Sequence, residues 1–344
     1  MSFVSILQDL DRSERRKLEA KMPSWAGLDI KVPASINFQQ CSGEEAARYK
    51  ASLIPSGARV ADLTGGLGAD GWAFSQRAAA LWFNERDAVL LDAVKHNFGL
   101  LSVQNAEFHG FDIGPEEHGW RESLAAFGPD VIYLDPARRS ASGKKVFLLE
   151  DCSPDVLQIM PLLLQIAPFV MVKVSPMADI TMLRRRLEGV LREIRVVGFR
   201  GECKELLCIC EPEAVFEGVK LHEDGFDFNP DSNTESGELF FVPSAALVKS
   251  GIGPGTGLMA YSEALAPFGR FWQVVENLPF ASSTIKEVGR RYPRAEVTAR
   301  GVQIASEALA AKMKTKPGGS VHIFACILDG ERKILVCEQM LRPE

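Results

Sequence analysis

Residues 60–70 read VADLTGGLGAD, a short apolar strand that runs into a cluster of glycines. The segment that follows, residues 71–80, is rich in alanine and is predicted to be a helix. Glycine is needed where a backbone turns sharply and approaches a ligand closely, because a Cβ atom would clash there. A strand, a glycine loop and a helix in this order predict a site for a nucleotide-type cofactor.

An acidic residue follows at the spacing that such a site requires. Glu85 comes twenty residues after Gly65, at the end of a second apolar run over residues 78–83. Its carboxylate can accept hydrogen bonds from the hydroxyls of a ribose, which suits both NAD and S-adenosylmethionine. The glycine order GGLG at residues 65–68 departs from the Gly-x-Gly-x-x-Gly pattern, and Asp62 precedes it. Both details favour S-adenosylmethionine.

The composition fits a folded protein large enough for two domains. Of the 344 residues, 46% are hydrophobic and 24% are charged, which is ordinary for a globular chain. The sequence holds nothing near the roughly 20 uninterrupted apolar residues of a membrane span, and residues 1–21 are too charged for a secretion signal. We therefore expect a cytoplasmic protein with no membrane partner.

The cysteines and the charges narrow the expected partners. Cys208 and Cys210 share one face of a predicted strand, but no further ligands accompany them, so we expect reduced, buried thiols and no metal. The net charge of −6 argues against a uniformly basic surface. The charges are segregated, however, with an acidic stretch over residues 211–238 and a basic region over residues 283–316. A local basic face that binds nucleic acid is therefore compatible with the sequence.

The order of apolar and helical segments predicts the fold. Between residues 59 and 210, nearly continuous apolar strands alternate with helical segments. This pattern predicts an α/β fold with a doubly wound parallel sheet that is covered on both faces. The last two strands, residues 194–199 and 205–210, have only a short turn between them. We therefore expect an antiparallel hairpin at the edge of this sheet.

The chain is expected to divide into four segments: an N-terminal helical segment over residues 1–40, the cofactor-binding domain over residues 41–212, an acidic hairpin or linker over residues 213–239, and a small α+β domain over residues 240–344. The turn Asp329-Gly330 between two alternating apolar runs predicts a terminal hairpin. Residues 43–53 are predicted to form a helix with Ser42 as its N-cap. Lys50 in this helix is expected to face either the cofactor or the solvent.

In a doubly wound sheet, the ligand lies at the carboxyl ends of the strands. Asp112 follows the third strand, where it either accepts a hydrogen bond from an adenine amino group or is an ordinary surface residue. Asp135 follows the fourth strand, and Pro136 stiffens the chain as it leaves the sheet. The Asp135 carboxylate and the exposed carbonyls can accept hydrogen bonds from a substrate amino group. Such bonds would aim the substrate nitrogen at a methyl group on a sulfonium centre.

Basic residues are expected beside this corner. Arg138 and Arg139 either contact a phosphate through bidentate hydrogen bonds or anchor a loop through carboxylates. Lys173 ends the fifth strand and is expected on the opposite lip of the same pocket. A buried lysine needs a partner, and Asp135 is the nearest candidate by topology. Such a pair is either structural or tunes the acceptor site.

Over residues 40–212 the sequence resembles the class I S-adenosylmethionine-dependent methyltransferases. The resemblance is carried by DLTGGLG at residues 62–68, by Asn84-Glu85, by Asp112 and by DPAR at residues 135–138. It implies methyl transfer from S-adenosyl-L-methionine, with the acid before the glycines helping to hold the methionine end of this cofactor. The expected cofactor-binding residues are Asp62, Thr64, Gly65, Gly66, Gly68, Asp70, Glu85, Asp112 and Asp135. The expected catalytic residues are Asp135, Pro136, Arg138 and Lys173.

Residues 240–344 resemble the THUMP-like domain that is appended to a group of bacterial methyltransferases of poorly defined substrate. The sequence FVPSAA at residues 241–246 and the run over residues 314–324 carry this resemblance. By analogy with THUMP modules, it implies RNA as the substrate. The RNA would be bound through this domain and the basic region over residues 283–316.

Two departures from the family patterns bear on the reaction. The amino-methylating motif usually ends in an aromatic residue that stacks on the target base, and here Ala137-Arg138 stand in its place. The Asp-Pro-x-Arg pattern is similar to the RNA uridine C5 methyltransferases, but these need a cysteine where this chain has VSP at residues 174–176. N-methylation of an RNA base is therefore favoured. Methylation of a protein or a small molecule, an NAD(P)-dependent oxidoreductase and a non-catalytic RNA-binding protein are the alternatives.

Overall fold

The computed structural model of the chain describes residues 11–138, 149–231 and 235–340. The chain divides into two compact units. The first comprises Met1–Val197 and Lys204–Val219, and the second comprises Gly198–Cys203 and Lys220–Glu344. The division into four segments stays a prediction.

The first unit is built from alternating helices and strands. Its helices are α1 (Arg12–Lys21), α2 (Ser35–Gln40), α3 (Glu44–Ser52), α4 (Ala69–Ser75), α5 (Ala88–Leu100), α6 (Trp120–Phe127), α7 (Val156–Ile166) and α8 (Ile180–Arg186). Its strands are β1 (Arg59–Asp62), β2 (Ala80–Asn84), β3 (Ala106–His109), β4 (Val131–Leu134), β5 (Ala137–Arg138), β6 (Cys152–Ser153), β7 (Phe169–Val174), β8 (Leu191–Phe199) and β9 (Glu202–Cys210).

Seven strands of this unit follow the order β8-β9-β7-β4-β1-β2-β3 in one sheet. Strands β3, β2, β1, β4 and β7 are parallel to one another, whereas β9 is antiparallel to β7. All four residues of β4 are buried, as expected for a strand that is covered on both faces. The predicted doubly wound sheet with an antiparallel edge is confirmed.

Aspartate side chains begin the helices that follow the strand ends. Asp87, Asp155 and Asp179 are the N-caps of α5, α7 and α8, and each accepts hydrogen bonds from backbone N–H groups of the first turn. These caps satisfy donors that the helix itself leaves unpaired. The turns from β2 into α5 and from β7 into α8 are therefore fixed at the end of the sheet where parallel α/β folds place their ligands.

The remaining elements are the strands β10 (Gly218–Glu223), β11 (Phe226–Asp227), β12 (Leu239–Pro243), β13 (Gly257–Met259), β14 (Gly269–Pro279), β15 (Glu296–Ala299), β16 (Val321–Leu328) and β17 (Glu331–Gln339), with the helices α9 (Ala245–Ser250), α10 (Ser282–Arg291) and α11 (Ser306–Met313). A second sheet has the order β13-β12-β14-β17-β16-β15, in which only β15 and β16 are paired in parallel. The predicted small α+β domain is confirmed.

The side chains of β16 alternate between the two faces of the second sheet. Ile323 packs with Ile285 of α10 and Leu309 of α11 in one buried cluster. Phe324, the next residue, belongs to a separate cluster with Trp272 of β14. Because successive side chains of a strand point to opposite faces, the second cluster lies on the face opposite α10 and α11.

The contact between α10 and α11 depends on a glycine. A Cβ atom on Gly289 would lie 2.0 Å from the backbone oxygen of Met313. We predict that Gly289→Ala lowers the free energy of unfolding by about 1–3 kcal/mol, because the two helices must separate. Urea-induced unfolding followed by circular dichroism measures this change.

The same substitution elsewhere provides the control. A Cβ atom on Gly99 in α5 would meet nothing within 4 Å apart from its chain neighbours and the backbone of its own helix, so Gly99→Ala is expected to raise stability by up to about 1 kcal/mol through helix propensity. Equal effects of the two substitutions would contradict the packing argument.

Candidate active site

The loop after β1 is shaped by an aspartate and by glycines. Asp62 is completely buried, and its Oδ1 accepts a hydrogen bond of 3.1 Å from the backbone N–H of Thr64. A Cβ atom on Gly65 would lie 2.1 Å from the Phe83 ring, so a larger residue does not fit. Gly68 has a φ of +85° at the N-cap of α4, which favours glycine. The glycine loop is therefore sterically required by the fold itself.

Two residues at the end of β2 form hydrogen bonds that hold this loop against the adjacent segments of the chain. Glu85 accepts hydrogen bonds of 2.9 Å from the backbone N–H groups of Gly66 and Asp87. Buried Asn84 donates 3.0 Å hydrogen bonds to the carbonyls of Leu63 and Phe111, which lie after β1 and β3. Asn84 belongs to the motif Asn84-Glu85, in which only the glutamate has a predicted role. The role of Asn84 could have been predicted from the sequence, because it is a polar residue at the end of an apolar strand.

Asp112 lies on the segment that Asn84 holds. Its carboxylate is exposed, and its Oδ1 lies 3.4 Å from Nη1 of Arg86. Asn84 receives a 2.8 Å hydrogen bond from the backbone N–H of Phe111, the residue before Asp112. Both interpretations of Asp112, as an adenine contact and as a surface residue, are compatible with this position. Its cofactor role stays a prediction.

The Asp135-Pro136 corner is joined directly to the glycine loop. The backbone N–H of Asp135 donates a 2.6 Å hydrogen bond to Oγ1 of Thr64. Lys173 Nζ lies 2.6 Å from Asp135 Oδ2, so the expected partner of this lysine is confirmed. Arg138 lies in β5, which pairs with β6, and Arg139 lies outside the described residues. The catalytic roles of these residues stay predictions.

A buried ion cluster, which we define as Ser42, Lys50, Asp70, Tyr133, Lys173 and Glu205, lies beside Asp135. Lys50 Nζ lies 3.1 Å from Asp70 Oδ1 and 2.5 Å from Glu205 Oε1. Asp70 Oδ2 accepts 2.8 Å hydrogen bonds from the hydroxyls of Ser42 and Tyr133. Lys173 Nζ donates to Ser42 Oγ at 3.2 Å and so joins the cluster to Asp135.

The cluster corrects two expectations from the sequence. Gly43, not Ser42, is the N-cap of α3, and the Ser42 hydroxyl serves the charged groups instead. Lys50 is fully buried, so it does not face solvent, and a cofactor contact of Lys50 stays a prediction. Asp70 was expected to bind the cofactor, and its carboxylate is engaged by the cluster. A cofactor contact of Asp70 stays a prediction.

Burial and neighbouring charges shift the pKa values in this region in opposite directions. Burial alone would lower the pKa of Lys173, but Asp135, Glu205 and Asp70 outweigh it and raise the pKa. Burial acts to raise the pKa of Asp70, yet Lys50 and Lys173 bring it below its ordinary value. Lys173 and Asp70 are therefore both charged, and neighbouring groups compensate each charge.

The charge of Asp62 has no such compensation from a neighbouring cation. Burial, reinforced by the negative charge of Asp70, raises the pKa of Asp62 well above its ordinary value. Its Oδ2 is buried and has no hydrogen-bond partner among the described residues. A positively charged amino group is the ligand that would satisfy this oxygen, and the methionine end of S-adenosylmethionine carries one. The residues of the loop therefore fit the expected cofactor.

The comparisons with known proteins agree with this geometry. Residues 269–339 match the sequence family described as THUMP domain-like. The crystal structure of a "putative methyltransferase" from Porphyromonas gingivalis W83 has 25% sequence identity, covers 99% of this chain and 95% of its own, and gives a TM-score of 0.79. No curated protein matches the chain.

Two further solved structures are much less similar. Trm5b from Pyrococcus abyssi has 12% identity over 54% of this chain and 53% of its own, with a TM-score of 0.35. TrmN from Thermus thermophilus has 17% identity over 49% of this chain and 48% of its own, with a TM-score of 0.34. At these scores the assignment rests on the Porphyromonas structure and on the family match.

The fold and the glycine loop define the first unit as a class I methyltransferase fold. The second unit adds to it a THUMP-like domain over residues 269–339. Both parts of the sequence resemblance are thereby confirmed.

Helix lengths and clusters of metal-ligating side chains bear on the expected partners. None of the helices within 11–138, 149–231 and 235–340 is both long and apolar enough to cross a membrane. In the same described part of the chain, no group of three or more His, Cys, Asp or Glu side chains is arranged to hold a metal ion.

The raised pKa of Asp62 predicts a specific pH dependence of stability. Between the ordinary aspartate pKa of about 4 and its higher folded value, the folded chain binds more protons at this group than the unfolded chain. Stability from this group therefore falls as pH rises. We expect Asp62→Asn to be more stable than the parent at pH 8 by more than about 1 kcal/mol, the value of one pKa unit.

Urea titrations of the two proteins between pH 5 and pH 8 measure this difference, which should shrink toward acid pH. Asp92→Asn is the matched control, because Asp92 is exposed in α5 and pairs with Lys95. If the parent were as stable as Asp62→Asn across the whole pH range, this would contradict the prediction that Asp62 is ionised at pH 8 without a compensating charge.

Proposed function

We propose that this protein is an S-adenosylmethionine-dependent methyltransferase that methylates an amino nitrogen of a base in RNA. One observation carries the proposal: the Asp135 backbone N–H is bonded to Thr64 in the glycine loop at 2.6 Å. This contact holds the corner suited to an amino group against the loop suited to the cofactor. The Porphyromonas relative, described as a "putative methyltransferase", supports the same class of reaction.

Each residue of the site has a defined part in this proposal. S-adenosylmethionine supplies an electrophilic methyl group on a sulfonium centre. Asp62 Oδ2 accepts hydrogen bonds from the amino group of the cofactor, and Glu85 exchanges its bonds to the loop for bonds to the ribose hydroxyls. Asp112 receives the adenine amino group.

The acceptor nitrogen is oriented by the Asp135-Pro136 corner. Lys173 engages Asp135 Oδ2, so Oδ1 is the oxygen available to accept a hydrogen bond from the substrate amino group. Pro136 restricts the backbone and fixes the carbonyls that share this task. Arg138 contacts a phosphate of the substrate. Positioning of this kind accounts for a large part of the rate in a displacement between two bound groups.

The THUMP-like domain supports RNA as the acceptor. Helix α10 also presents basic residues, since Lys286 and Arg290 are exposed on it. Arg291 in the same helix is paired with Glu276 of β14.

Cofactor choice is tested by calorimetry. We expect the purified chain to bind S-adenosylmethionine and S-adenosylhomocysteine, and to bind NAD and NADP at least about 100-fold more weakly, because the loop lacks the dinucleotide glycine spacing. Asp62→Asn should bind S-adenosylmethionine about tenfold more weakly, through loss of a charge-assisted hydrogen bond. Tight binding of NAD alone would favour an oxidoreductase.

Methyl transfer is tested with tritium-labelled S-adenosylmethionine and RNA from a strain that lacks this protein, followed by nucleoside analysis. Asp135→Asn should reduce transfer about 100-fold or more, because the acceptor nitrogen loses its orientation. Asp92→Asn serves as the control. Label that enters protein or small molecules instead of RNA would contradict the RNA assignment, and a parent with no transfer to any acceptor would favour a non-catalytic role.

A further inference from the structure

The hydroxyl of Ser42 is a three-way junction in the buried ion cluster. Its Oγ donates a 2.8 Å hydrogen bond to Asp70 Oδ2, and it accepts hydrogen bonds from Lys50 Nζ at 3.0 Å and from Lys173 Nζ at 3.2 Å. A serine hydroxyl has one hydrogen to donate and two lone pairs with which to accept, so these three contacts use its full capacity. The charged neighbours therefore fix the direction of this hydroxyl.

The backbone that carries Ser42 is held on both sides. Lys21 Nζ donates two hydrogen bonds of 2.9 Å to carbonyl groups near the end of α2. Glu44, in the first turn of α3, accepts hydrogen bonds of 2.8 Å and 2.6 Å from the backbone N–H and the hydroxyl of Ser24. Ser42 lies between these two anchors and is 6% exposed. Its hydroxyl is therefore placed by the chain between α2 and α3, and not by the sheet.

Lys173 lies between two carboxylates. Its Nζ is 2.6 Å from Asp135 Oδ2 and 3.9 Å from Glu205 Oε2, and the second distance is too long for a hydrogen bond. Against the effect of burial, both carboxylates raise the pKa of Lys173, so both attract its charge. Attraction between charges has no strong direction, whereas a hydrogen bond does. The hydrogen bond to Ser42 Oγ therefore supplies the directional contact that holds Nζ beside Asp135.

Loss of the Ser42 hydroxyl would change the balance at Lys173. Ser42 Oγ and Asp135 Oδ2 both accept hydrogen bonds from its ammonium group. A buried donor that loses its acceptor costs free energy until it finds another. Glu205 Oε2, at 3.9 Å, is a carboxylate oxygen toward which the ammonium group can turn. Such a movement takes the charge of Lys173 away from Asp135.

The orientation of the Asp135 carboxylate depends on this contact. The backbone N–H of Asp135 is held by Thr64 Oγ1 at 2.6 Å, and Lys173 holds Oδ2 of the side chain. The terminal torsion of an aspartate side chain has no sharp preference of its own. Lys173 therefore determines where Oδ1, the oxygen proposed to meet the acceptor amino group, points.

We infer that Ser42 is a positioning residue for methyl transfer: its hydroxyl holds Lys173 against Asp135 and so directs the carboxylate that orients the acceptor nitrogen. The inference rests on the proposed function, and it gives the chain between α2 and α3 a part in that function. Ser42 acts through Lys173 and does not itself contact the acceptor.

A matched pair of variants of the full chain tests the inference. Ser42→Thr keeps the hydroxyl, whereas Ser42→Val has a methyl group of similar size in its place, so crowding by the added methyl is common to both. Transfer from tritium-labelled S-adenosylmethionine to RNA from a strain that lacks this protein is measured at saturating cofactor over a range of RNA concentrations. We expect kcat to fall about tenfold or more in Ser42→Val and to stay within about threefold of the parent in Ser42→Thr, because a small displacement of an orienting group has a large effect on rate. Since kcat is measured at saturation, weaker binding does not explain such a fall.

A double variant tests whether Ser42 acts through Lys173. In a Lys173→Met background, Ser42→Val should lower kcat by less than about twofold, because a residue that acts through another has no further effect once the other is removed. Ser52→Ala is the control and should keep the parent kcat, since Ser52 is exposed at the end of α3 and its hydroxyl donates to the carbonyl of Tyr49. Circular dichroism and urea unfolding check that each variant is folded in the assay. If Lys173→Met does not fold, the comparison of Ser42→Thr with Ser42→Val is sufficient.

The outcomes separate the role of Ser42 from the proposed function. A parent that transfers no methyl group would refute the proposed function, and the role of Ser42 with it. An active parent whose kcat is matched by folded Ser42→Val would overturn the role of Ser42 alone. Equal losses of kcat in Ser42→Thr and Ser42→Val would also overturn it, as would a full further loss in the Lys173→Met background.

Discussion

The contact between Lys173 and Asp135 governs the site in the first unit, and it depends on buried charges behind it. Glu205 lies 2.5 Å from Lys50 and 3.9 Å from Lys173, so one carboxylate serves both lysines. Removing a single partner from such a set costs about 3–5 kcal/mol, because the remaining charge stays buried without compensation. The position of Asp135 is therefore held by groups from α3, α4, β7 and β9, not by the Asp-Pro corner alone.

Glycine is required after β1 for two separate reasons. Gly65 and Gly71 press against the Phe83 ring, where Cβ atoms would come within 2.1 Å and 2.8 Å of it. Gly66 has open space around it but a φ of +54°, so its requirement is conformational. Packing of the loop on β2 thus requires part of the glycine cluster before any ligand binds. A glycine pattern in a sequence therefore reports the architecture of the loop first and its ligand second.

Local patterns in the sequence were sufficient to predict the sheet, the glycine loop and the acidic residues at the strand ends. The alternation of strands and helices, and the rule that ligands lie at strand carboxyl ends, also paired Lys173 with Asp135 correctly. Ser42 and Lys50 were misplaced because their partners are distant in sequence: Lys50 meets Glu205 across 155 residues. Capping and amphipathic patterns describe a helix and its solvent, and they contain no information about charges brought in by another strand.

Each of the two units contains a buried polar group without a hydrogen-bond partner among the described residues. Asp62 Oδ2 in the first unit and Trp272 Nε1 in the second are buried without hydrogen-bond partners among the described residues. Most buried polar groups in folded proteins are paired, since an unpaired one costs about 1–3 kcal/mol. A donor group would satisfy the Asp62 oxygen in the first unit, whereas an acceptor atom would satisfy the Trp272 N–H in the second.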